Sequence, residues 1–310
     1  MIARVEISGR QVLPARTSVS PWVEDDRVER ILFASKVAAI GTLASPPDST
    51  YFRGEHEVTN YLIAFPRSSL WIRQDRGDRF VADPTVATIY NRGQVLRRRA
   101  ISPQGDVAEW FAVAEDVARD AVRVHDPGTA AGPAPLRFTH AEVPPALYRR
   151  QRSVASLVRQ QAVEPEQVDE LVIGLFGEVV DAAYARAGRR FLARDTTPMQ
   201  RELVERAKAV LARTYTTNLT VDEIGRHCEC STYHLCRTFR QHTGQTLHGY
   251  RRDLRLRIAL GLVGNYRGDL ARLAMELGFF SHSHFSGTFQ RQFGVSPSDW
   301  VANGAGSVPA

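Results

Sequence analysis

The residues best suited to bind a metal stand together in the C-terminal third of the chain. All three cysteines, Cys228, Cys230 and Cys236, fall within a stretch of nine residues; His227 immediately precedes this stretch and His234 lies within it. Thiolate and imidazole are ligands that zinc prefers, so the cluster invites a zinc interpretation. However, the second ligand pair of a zinc ribbon is missing, and a free Cys is a common core residue. We therefore expect Cys228 to be buried in a core, and we expect no metal and no cofactor.

Histidines and carboxylates of the first 196 residues could instead belong to a metal-dependent β-barrel enzyme. Such a site needs two or three histidines and a carboxylate that converge on one point. Here His56, flanked by Glu55 and Glu57, stands far in sequence from His125 and His140, and no His-x-His pair occurs in this segment. We therefore expect no catalytic residue, and we keep the metal enzyme as an alternative.

Aromatic and basic residues of the same segment could bind a small effector. The aromatic candidates for an apolar pocket are Tyr61, Trp71, Tyr90 and Trp110, which could equally be core residues of strands. Arginines that suit an anionic effector, or a solvated strand edge, are Arg53, Arg67, Arg73 and the run Arg97, Arg98 and Arg99. The sequence leaves both choices open.

The elements that would position these residues differ along the chain. Residues 1–140 contain short runs of β-branched and aromatic residues at 60–66, 69–72, 85–91 and 106–114, separated by turn-forming residues. They predict a small β-barrel or sandwich. The stretch 125–145 is rich in Pro, Gly and Ala and predicts a connector.

Residues 146–190 are predicted to be helical. Pro165, between two glutamates, provides a helix start, and Gly188 is the expected C-cap. One apolar stripe at helical spacing consists of Val168, Leu171, Val172, Leu175, Phe176 and Val179. This stripe either packs on the β-rich part of its own subunit or forms a dimer seam.

The charge of the chain is concentrated at its C-terminal end. From Thr197 onward, 14 Lys or Arg face 9 Asp or Glu, which gives +5 of the formal +6, whereas the first 196 residues carry 26 against 25. A basic segment attracts polyphosphate, although a solvated basic face is the alternative. No apolar run reaches membrane-spanning length, and the N-terminus lacks the apolar stretch of a secretory signal. We expect a cytoplasmic protein without a membrane partner.

An apolar pattern occurs twice in this basic segment. The first copy consists of Ile224, Cys228, Leu235, Phe239 and Gly244, and the second of Leu273, Leu277, Phe285, Phe289 and Gly294. Each copy predicts two short helices joined by a tight turn. Because tandem helix-turn-helix units can place two helices in DNA grooves, the repeat predicts DNA binding.

Further helices are predicted around the two copies. Pro198 lies near one helix start, and Thr220 with Glu223 matches a capping box. Between the copies, residues 247–263 predict a longer helix whose surface would carry Arg251, Arg252, Arg255 and Arg257. A rigid helix there would fix the separation of the two DNA-reading helices.

Residues 200–301 resemble the AraC/XylS family of bacterial transcription regulators. The second copy carries the resemblance at Ala274, Leu277, Gly278, Phe279, Ser281, Ser283, Phe285, Phe289, Phe293, Gly294 and Pro297. The first copy matches at Ile224, Ser231, Leu235, Arg237, Phe239, Arg240, Gly244 and Tyr250. The resemblance implies a regulator that binds double-stranded DNA, forms a homodimer and, if it is an activator, contacts RNA polymerase.

The resemblance also implies which residues contact DNA. In the first recognition helix these are Ser231, Thr232, Tyr233, Arg237 and Arg240. In the second they are Ser281, His282, Ser283, His284, Thr288 and Arg291. Three positions depart from the family pattern: Glu229 stands in a turn where Gly is usual, and Gly287 and Gln290 replace basic residues. We therefore expect strain at Glu229 and a larger DNA contribution from the first helix.

The segment 61–99 is similar to the cupin-like sensor half of such regulators. This similarity implies an α+β multidomain chain with a cupin-like sensor domain at 1–140, a helical linker and dimerisation region at 141–196, and an AraC-type domain with two helix-turn-helix motifs at 197–303. The sensor would take an unknown small-molecule effector, or the regulator would be controlled by its level or by a partner protein. A methyl-accepting DNA-repair role needs an activated Cys outside the module, and no Cys precedes Cys228.

Overall fold

The computed structural model describes residues 28–75, 77–191 and 197–302. The chain divides into two compact units between residues 191 and 192. In the described residues the first unit combines strands with helices and the second is helical, so the predicted α+β class is confirmed. The first 27 residues of the predicted sensor segment lie outside this description. No helix in the described ranges combines the length and the apolar character needed to span a membrane.

The described strands of the first unit form two antiparallel sheets, in the orders β1-β2-β9-β4-β7-β10 and β3-β8-β5-β6. The strands are β1 (Val28–Ala34), β2 (Ala38–Ser45), β3 (His56–Glu57), β4 (Tyr61–Pro66), β5 (Leu70–Gln74), β6 (Phe80–Ala82), β7 (Val86–Tyr90), β8 (Val95–Ala100), β9 (Asp106–Val113) and β10 (His140–Glu142). The four runs predicted as strands correspond to β4, β5, β7 and β9 and are confirmed.

Strand alternation places the side chains of β4 on two different surfaces. Leu62, Ala64 and Pro66 face a cavity that residues of the second sheet also line, so the two sheets face each other. Ile63 and Phe65 point to the opposite side and are also fully buried. A strand that is buried on both faces explains the nearly continuous apolar run of this segment.

Four helices complete the described part of the first unit: α1 (Glu115–Arg123), α2 (Pro127–Ala130), α3 (Pro145–Arg159) and α4 (Pro165–Phe191). Helix α4 lies against the larger sheet and against α1 and α3. The predicted apolar stripe on α4 is buried at these contacts. Four of its residues are fully buried within the unit: Val172, Leu175, Phe176 and Val179. The stripe therefore packs within its own subunit, and a homodimer, which stays a prediction, needs another surface.

Two sequence expectations for this unit are wrong, and one helix was not expected. Gly188 does not cap α4, because the helix continues to Phe191 and Gly188 has no positive φ. The stretch 125–145 is not a plain connector, since Asp126 caps α2 and β10 pairs with β7. Helix α1 lies inside the segment predicted to be β-rich. Elements as short as α2 and β10 leave too few residues for a periodic pattern.

The second unit contains, in its described residues, α5 (Pro198–Arg213), α6 (Val221–His227), α7 (Thr232–Thr243), α8 (Leu247–Leu262), α9 (Leu270–Glu276), α10 (His282–Phe293) and α11 (Pro297–Ala302). Thr220 and Glu223 form the predicted capping box at the start of α6. Gly244 and Gly294 end α7 and α10 in the left-handed conformation that favours glycine.

The repeated apolar pattern forms the core of the second unit. Ile224, Cys228, Leu235 and Phe239 of the first copy are buried against α5 and α8. The equivalent residues of the second copy, Leu273, Leu277, Phe285 and Phe289, are buried as well. The repeat therefore builds two similar helix pairs, α6 with α7 and α9 with α10.

Candidate nucleic-acid interface

The turn between α6 and α7 contains a residue in a strained backbone conformation. Glu229 adopts φ +55°, in the left-handed region, and the next residue, Cys230, donates its backbone N–H to the Gly225 carbonyl (3.1 Å). The strain predicted at Glu229 is therefore present. A residue with a Cβ in this region costs about 1–2 kcal/mol relative to ordinary helical backbone.

The turn between α9 and α10 uses Gly278 at the equivalent place. Its φ is +76°, and Phe279 N–H donates to the Ala274 carbonyl (2.9 Å), as Cys230 does in the first turn. A Cβ at position 278 would lie 2.3 Å from the Thr216 carbonyl oxygen and 2.6 Å from Arg255 Nη2. Glycine is thus required here both by the backbone angle and by the space.

The outer face of α7 carries the residues expected to contact DNA. Thr232, Tyr233, Arg237 and Arg240 are exposed, whereas the helix turns Leu235 toward the core. Neither guanidinium forms an ion pair or a side-chain hydrogen bond with another described residue. Both are therefore free to reach a phosphate or a guanine edge. Tyr233, with 74% of its surface exposed, is the most exposed large hydrophobic residue on this face.

Ser231 and Ser281 serve as N-caps of the two recognition helices. Ser231 Oγ accepts the backbone N–H of His234 (3.3 Å), and Ser281 Oγ accepts that of His284 (3.2 Å). Both residues are exposed, so each hydroxyl group can still contact a ligand while one of its lone pairs accepts the N–H of the helix.

The outer face of α10 has a different chemistry. His282, Ser283, His284 and Arg291 are exposed, as expected, but Thr288 is buried. Thr288 follows Phe285 by three residues and therefore lies on the core side of the helix. Its Oγ1 donates to the His284 carbonyl (2.7 Å) and accepts from Arg291 Nη2 (2.9 Å). The expectation that Thr288 is exposed is wrong, its contact with DNA stays a prediction, and its hydroxyl can position Arg291.

Sequence reasoning missed the most exposed aromatic residue of this unit. Phe280, immediately before the Ser281 cap, has 94% of its surface exposed. Its only sequence signal is the doublet with Phe279, whose side chain is buried against Phe285 at 5.2 Å between ring centroids. An exposed ring beside a recognition helix can contact a thymine methyl group.

A family model described as a helix-turn-helix domain matches residues 224–303. The uncharacterized HTH-type transcriptional regulator YidL of Escherichia coli K12 is 33% identical over 104 residues, which cover 34% of this chain and 35% of YidL. The HTH-type transcriptional activator RhaR of Salmonella dublin is 28% identical over 133 residues, covering 43% of this chain and 46% of RhaR. The chain thus spans less than half the length of these two relatives.

Among solved structures, an AraC-type regulator from Chromobacterium violaceum is 26% identical, with 34% of this chain and 93% of that chain covered and a TM-score of 0.32. Both copies of the repeat lie inside the segment that the family model matches. Residues 224–303 form an AraC-type helix-turn-helix domain.

Helix α8 at the centre of the AraC-type domain holds arginines that the sequence placed on the surface. Arg251, Arg255 and Arg257 are buried, and only Arg252 of the predicted four is exposed. Arg257 pairs with Asp253, whereas Arg251 and Arg255 find main-chain acceptors that the sequence does not display. Arg251 Nη1 donates to the carbonyls of Thr217 (3.2 Å) and Leu219 (2.9 Å).

Arg255 connects the two halves of the AraC-type domain. Its guanidinium donates to the carbonyls of Tyr215 and Thr217 (3.3 Å), ahead of the first helix pair, and to the Gly278 carbonyl (2.8 Å) in the second turn. Burial, with a contribution from Arg251, lowers the pKa of Arg255 to about 10, so it remains charged at neutral pH. This arginine fixes the second turn relative to the segment that precedes α6.

The three cysteines lie in different environments, from the core to the surface, and do not form a shared set of metal ligands. Cys228 is fully buried, and burial raises the pKa of its thiol to about 11. Cys230 is half-buried and Cys236 is exposed on α7. Among the described residues no group of three or more His, Cys, Asp or Glu side chains could hold a metal ion.

The four candidate effector residues do not share one site. Tyr90 and Trp110 line a cavity of ≈ 30 Å³ between the two sheets, together with Leu62 and Ile72. Tyr61 and Trp71 do not line it, because strand alternation turns them to the other faces of β4 and β5. Trp71 lies instead under Arg79, whose guanidinium is 4.5 Å from the ring centroid. A cavity of this volume has room for about two water molecules.

The middle arginine of the run at 97–99 reaches the same cavity. Strand β8 is an interior strand of its sheet, so the expectation of a solvated edge is wrong for Arg98. Arg98 Nε lies 3.3 Å from Asp106 Oδ2. Burial alone would lower the pKa of Arg98, but Tyr51, Tyr90 and Asp106 outweigh it, and the pKa is raised. Arg98 and Asp106 thus form a buried charged pair that the sequence did not reveal.

Proposed function

We propose that the chain is a sequence-specific, DNA-binding transcription regulator. The observation that supports this most strongly is the pair of N-capped helices, α7 and α10, on one basic domain with their polar faces exposed. Helix α7 is the stronger contact, because Arg237 and Arg240 are exposed and unpaired among the described residues, whereas α10 carries Arg291 alone. The remaining contacts are Thr232, Tyr233, His282, Ser283 and His284, next to the capping Ser231 and Ser281.

The whole protein is proposed to act as a cytoplasmic regulator without catalysis. Residues 1–140 serve as the sensor and 141–196 contribute to a homodimer through a surface other than the buried stripe of α4. An activator of this kind would also contact RNA polymerase. Since Tyr90 and Trp110 line a cavity of only ≈ 30 Å³, a small-molecule effector would have to widen the space between the sheets. The second candidate is a regulator whose activity is controlled by its level or by a partner protein. The small volume of the cavity favours this candidate, because it leaves little room for an effector.

The proposal is tested by selecting bound fragments from a genomic library with the purified full chain. We expect a small set of enriched fragments with a shared sequence, and the double variant Arg237→Ala/Arg240→Ala should lose this enrichment. Far-UV circular dichroism of the variant should match the wild type, because both side chains lie on the surface. Equal recovery of all fragments by the wild type would contradict sequence-specific binding.

A further inference from the structure

Three arginines of the first unit surround one buried carboxylate. Glu109 on β9 is completely buried on the face of the sheet opposite the cavity. Its Oε1 accepts hydrogen bonds from Arg152 Nη1 (2.6 Å) and Arg159 Nη2 (3.0 Å), both on α3. Arg67, which follows β4, is the third arginine of this group. We call Arg67, Glu109, Arg152 and Arg159 the arginine cluster.

The positive charge of the cluster exceeds its negative charge. Three guanidiniums against one carboxylate leave a net charge of +2 in the cluster, and Glu109 is the carboxylate that raises the pKa of Arg67 and Arg152. Burial lowers the pKa of Arg67 and Arg152 lowers it further, although Glu109 opposes both. Burial would raise the pKa of Glu109, but Arg152, Arg67 and Arg159 outweigh it and keep the carboxylate charged.

Some hydrogen-bonding groups of the arginine cluster have no partner among the described residues. The Arg67 side chain makes no hydrogen bond with another described residue, and Arg152 Nε and Glu109 Oε2 are both buried without a partner among these residues. Buried charges in proteins are normally paired, since an unpaired charge loses its hydration without compensation. Unsatisfied guanidinium N–H groups beside an excess of positive charge indicate a missing anion.

The cluster is open to solvent on one side. Arg152 is nine-tenths buried, but Arg159 exposes 36% of its side chain and Arg67 is half-buried. A ligand can therefore approach Arg67 and Arg159 while Arg152 and Glu109 hold the floor of the site. Guanidinium groups present planar pairs of N–H donors that match phosphate and carboxylate oxygens.

We propose that the arginine cluster is an oxyanion-binding site for a phosphate or carboxylate group. A doubly charged phosphoryl group would balance the net charge of +2. The site is separate from the cavity between the sheets, because Glu109 and the cavity residues Ala108 and Trp110 alternate along β9. It does not depend on the proposed DNA-binding function.

The direct test is binding of inorganic phosphate to the full chain, measured by equilibrium dialysis at constant ionic strength maintained with chloride. Thermal unfolding in the same buffers gives a second readout, and the transition of the first unit should rise by about 3–6 °C at a tenfold excess over Kd. Citrate and acetate, used in place of phosphate, distinguish a phosphoryl site from a carboxylate site. Chloride producing the same rise as phosphate would overturn the proposal.

Variants locate the site. Arg67→Gln and Arg159→Gln should each weaken phosphate binding at least about tenfold, and Arg92→Gln, at an exposed turn of the same unit, should not change it. Unchanged phosphate binding in both Arg67→Gln and Arg159→Gln would overturn the proposal.

The stability of Arg67→Gln without phosphate decides between two explanations. If the charge of Arg67 is compensated only when an anion is bound, removing that charge should raise the Tm in phosphate-free buffer. If Arg67 instead pairs with Glu109 Oε2, which has no partner among the described residues, the same substitution should lower the Tm, and this result would contradict the proposal.

Discussion

Residues 229 and 278 occupy the same place in the two turns and share the left-handed backbone, but only one of them is a glycine. The Glu229 side chain forms no hydrogen bond or ion pair with another described residue, whereas Gly278 lies against the Thr216 carbonyl and Arg255. At the scale of single residues, therefore, the first turn carries removable strain, and the second turn has no space for any larger residue.

Replacing Glu229 with Gly should stabilise the AraC-type domain. Glycine removes the Cβ clash at φ +55° but also gives the unfolded chain more freedom, so the net gain should be about 0.5–1 kcal/mol. Urea unfolding of the full chain, followed in the transition of the second unit, measures this change. The control Arg226→Gly lies at a helical position of α6 and should lose about 1 kcal/mol. A loss of stability in Glu229→Gly would contradict the strain argument.

Replacing Gly278 with Ala should destabilise the same domain by at least about 2 kcal/mol, because the new Cβ meets main chain and a buried guanidinium. The midpoint of urea unfolding again provides the measurement. Gly264→Ala is the matched control, since nothing lies within 4 Å of a Cβ there and its φ is not positive. The argument fails if the two variants unfold at the same urea concentration.

At the scale of helices, α7 and α10 have the same fold and unequal chemistry. Each begins with a capping serine and ends with a left-handed glycine. Helix α7 presents two arginines that have no partner among the described residues, but α10 presents two histidines and an arginine that is hydrogen-bonded to Thr288. Gly287 further weakens α10, because glycine inside a helix costs about 1 kcal/mol relative to alanine.

Arg237→Ala should weaken operator binding more than His284→Ala. Loss of a guanidinium that contacts a guanine or a phosphate costs about 1–3 kcal/mol, or roughly 5- to 150-fold in Kd. Fluorescence anisotropy on one selected DNA fragment, at a single salt concentration, compares the two variants. Equal losses would show that the two helices contribute equally.

At the scale of the whole molecule, the basic C-terminal segment predicts binding that depends strongly on salt. Each phosphate contact releases condensed counterions, so log K should fall linearly with log salt, and Arg240→Ala should reduce the slope by about 1 if it removes one contact. Titrations of wild type and variant at several chloride concentrations measure both slopes. A complex that is insensitive to salt would contradict binding through phosphates.

The sequence predicted those parts of the fold that depend on local pattern. The strand runs, the capping box of Thr220 and Glu223 and both helix-turn-helix units follow from residue spacing, and the strain at Glu229 follows from the glycine that the resembled family usually has at this turn. The buried polar groups could not, because Arg98, Glu109 and Arg255 find their partners between 8 and 50 residues away or on main-chain carbonyls. The same limit hid the core position of Thr288, which looks polar in the sequence but faces inward.

The contacts of Arg255 restrict which substitutions this domain can accept during evolution. Its acceptors at positions 215 and 217 are carbonyl oxygens, which every amino acid supplies, so side chains there can be replaced without loss of these bonds. Positions 255 and 278 have no such freedom, because the guanidinium occupies the space that any Cβ at 278 would need. A substitution at 255 alone would not admit a larger residue at 278, because the Thr216 carbonyl oxygen would still lie 2.3 Å from the new Cβ.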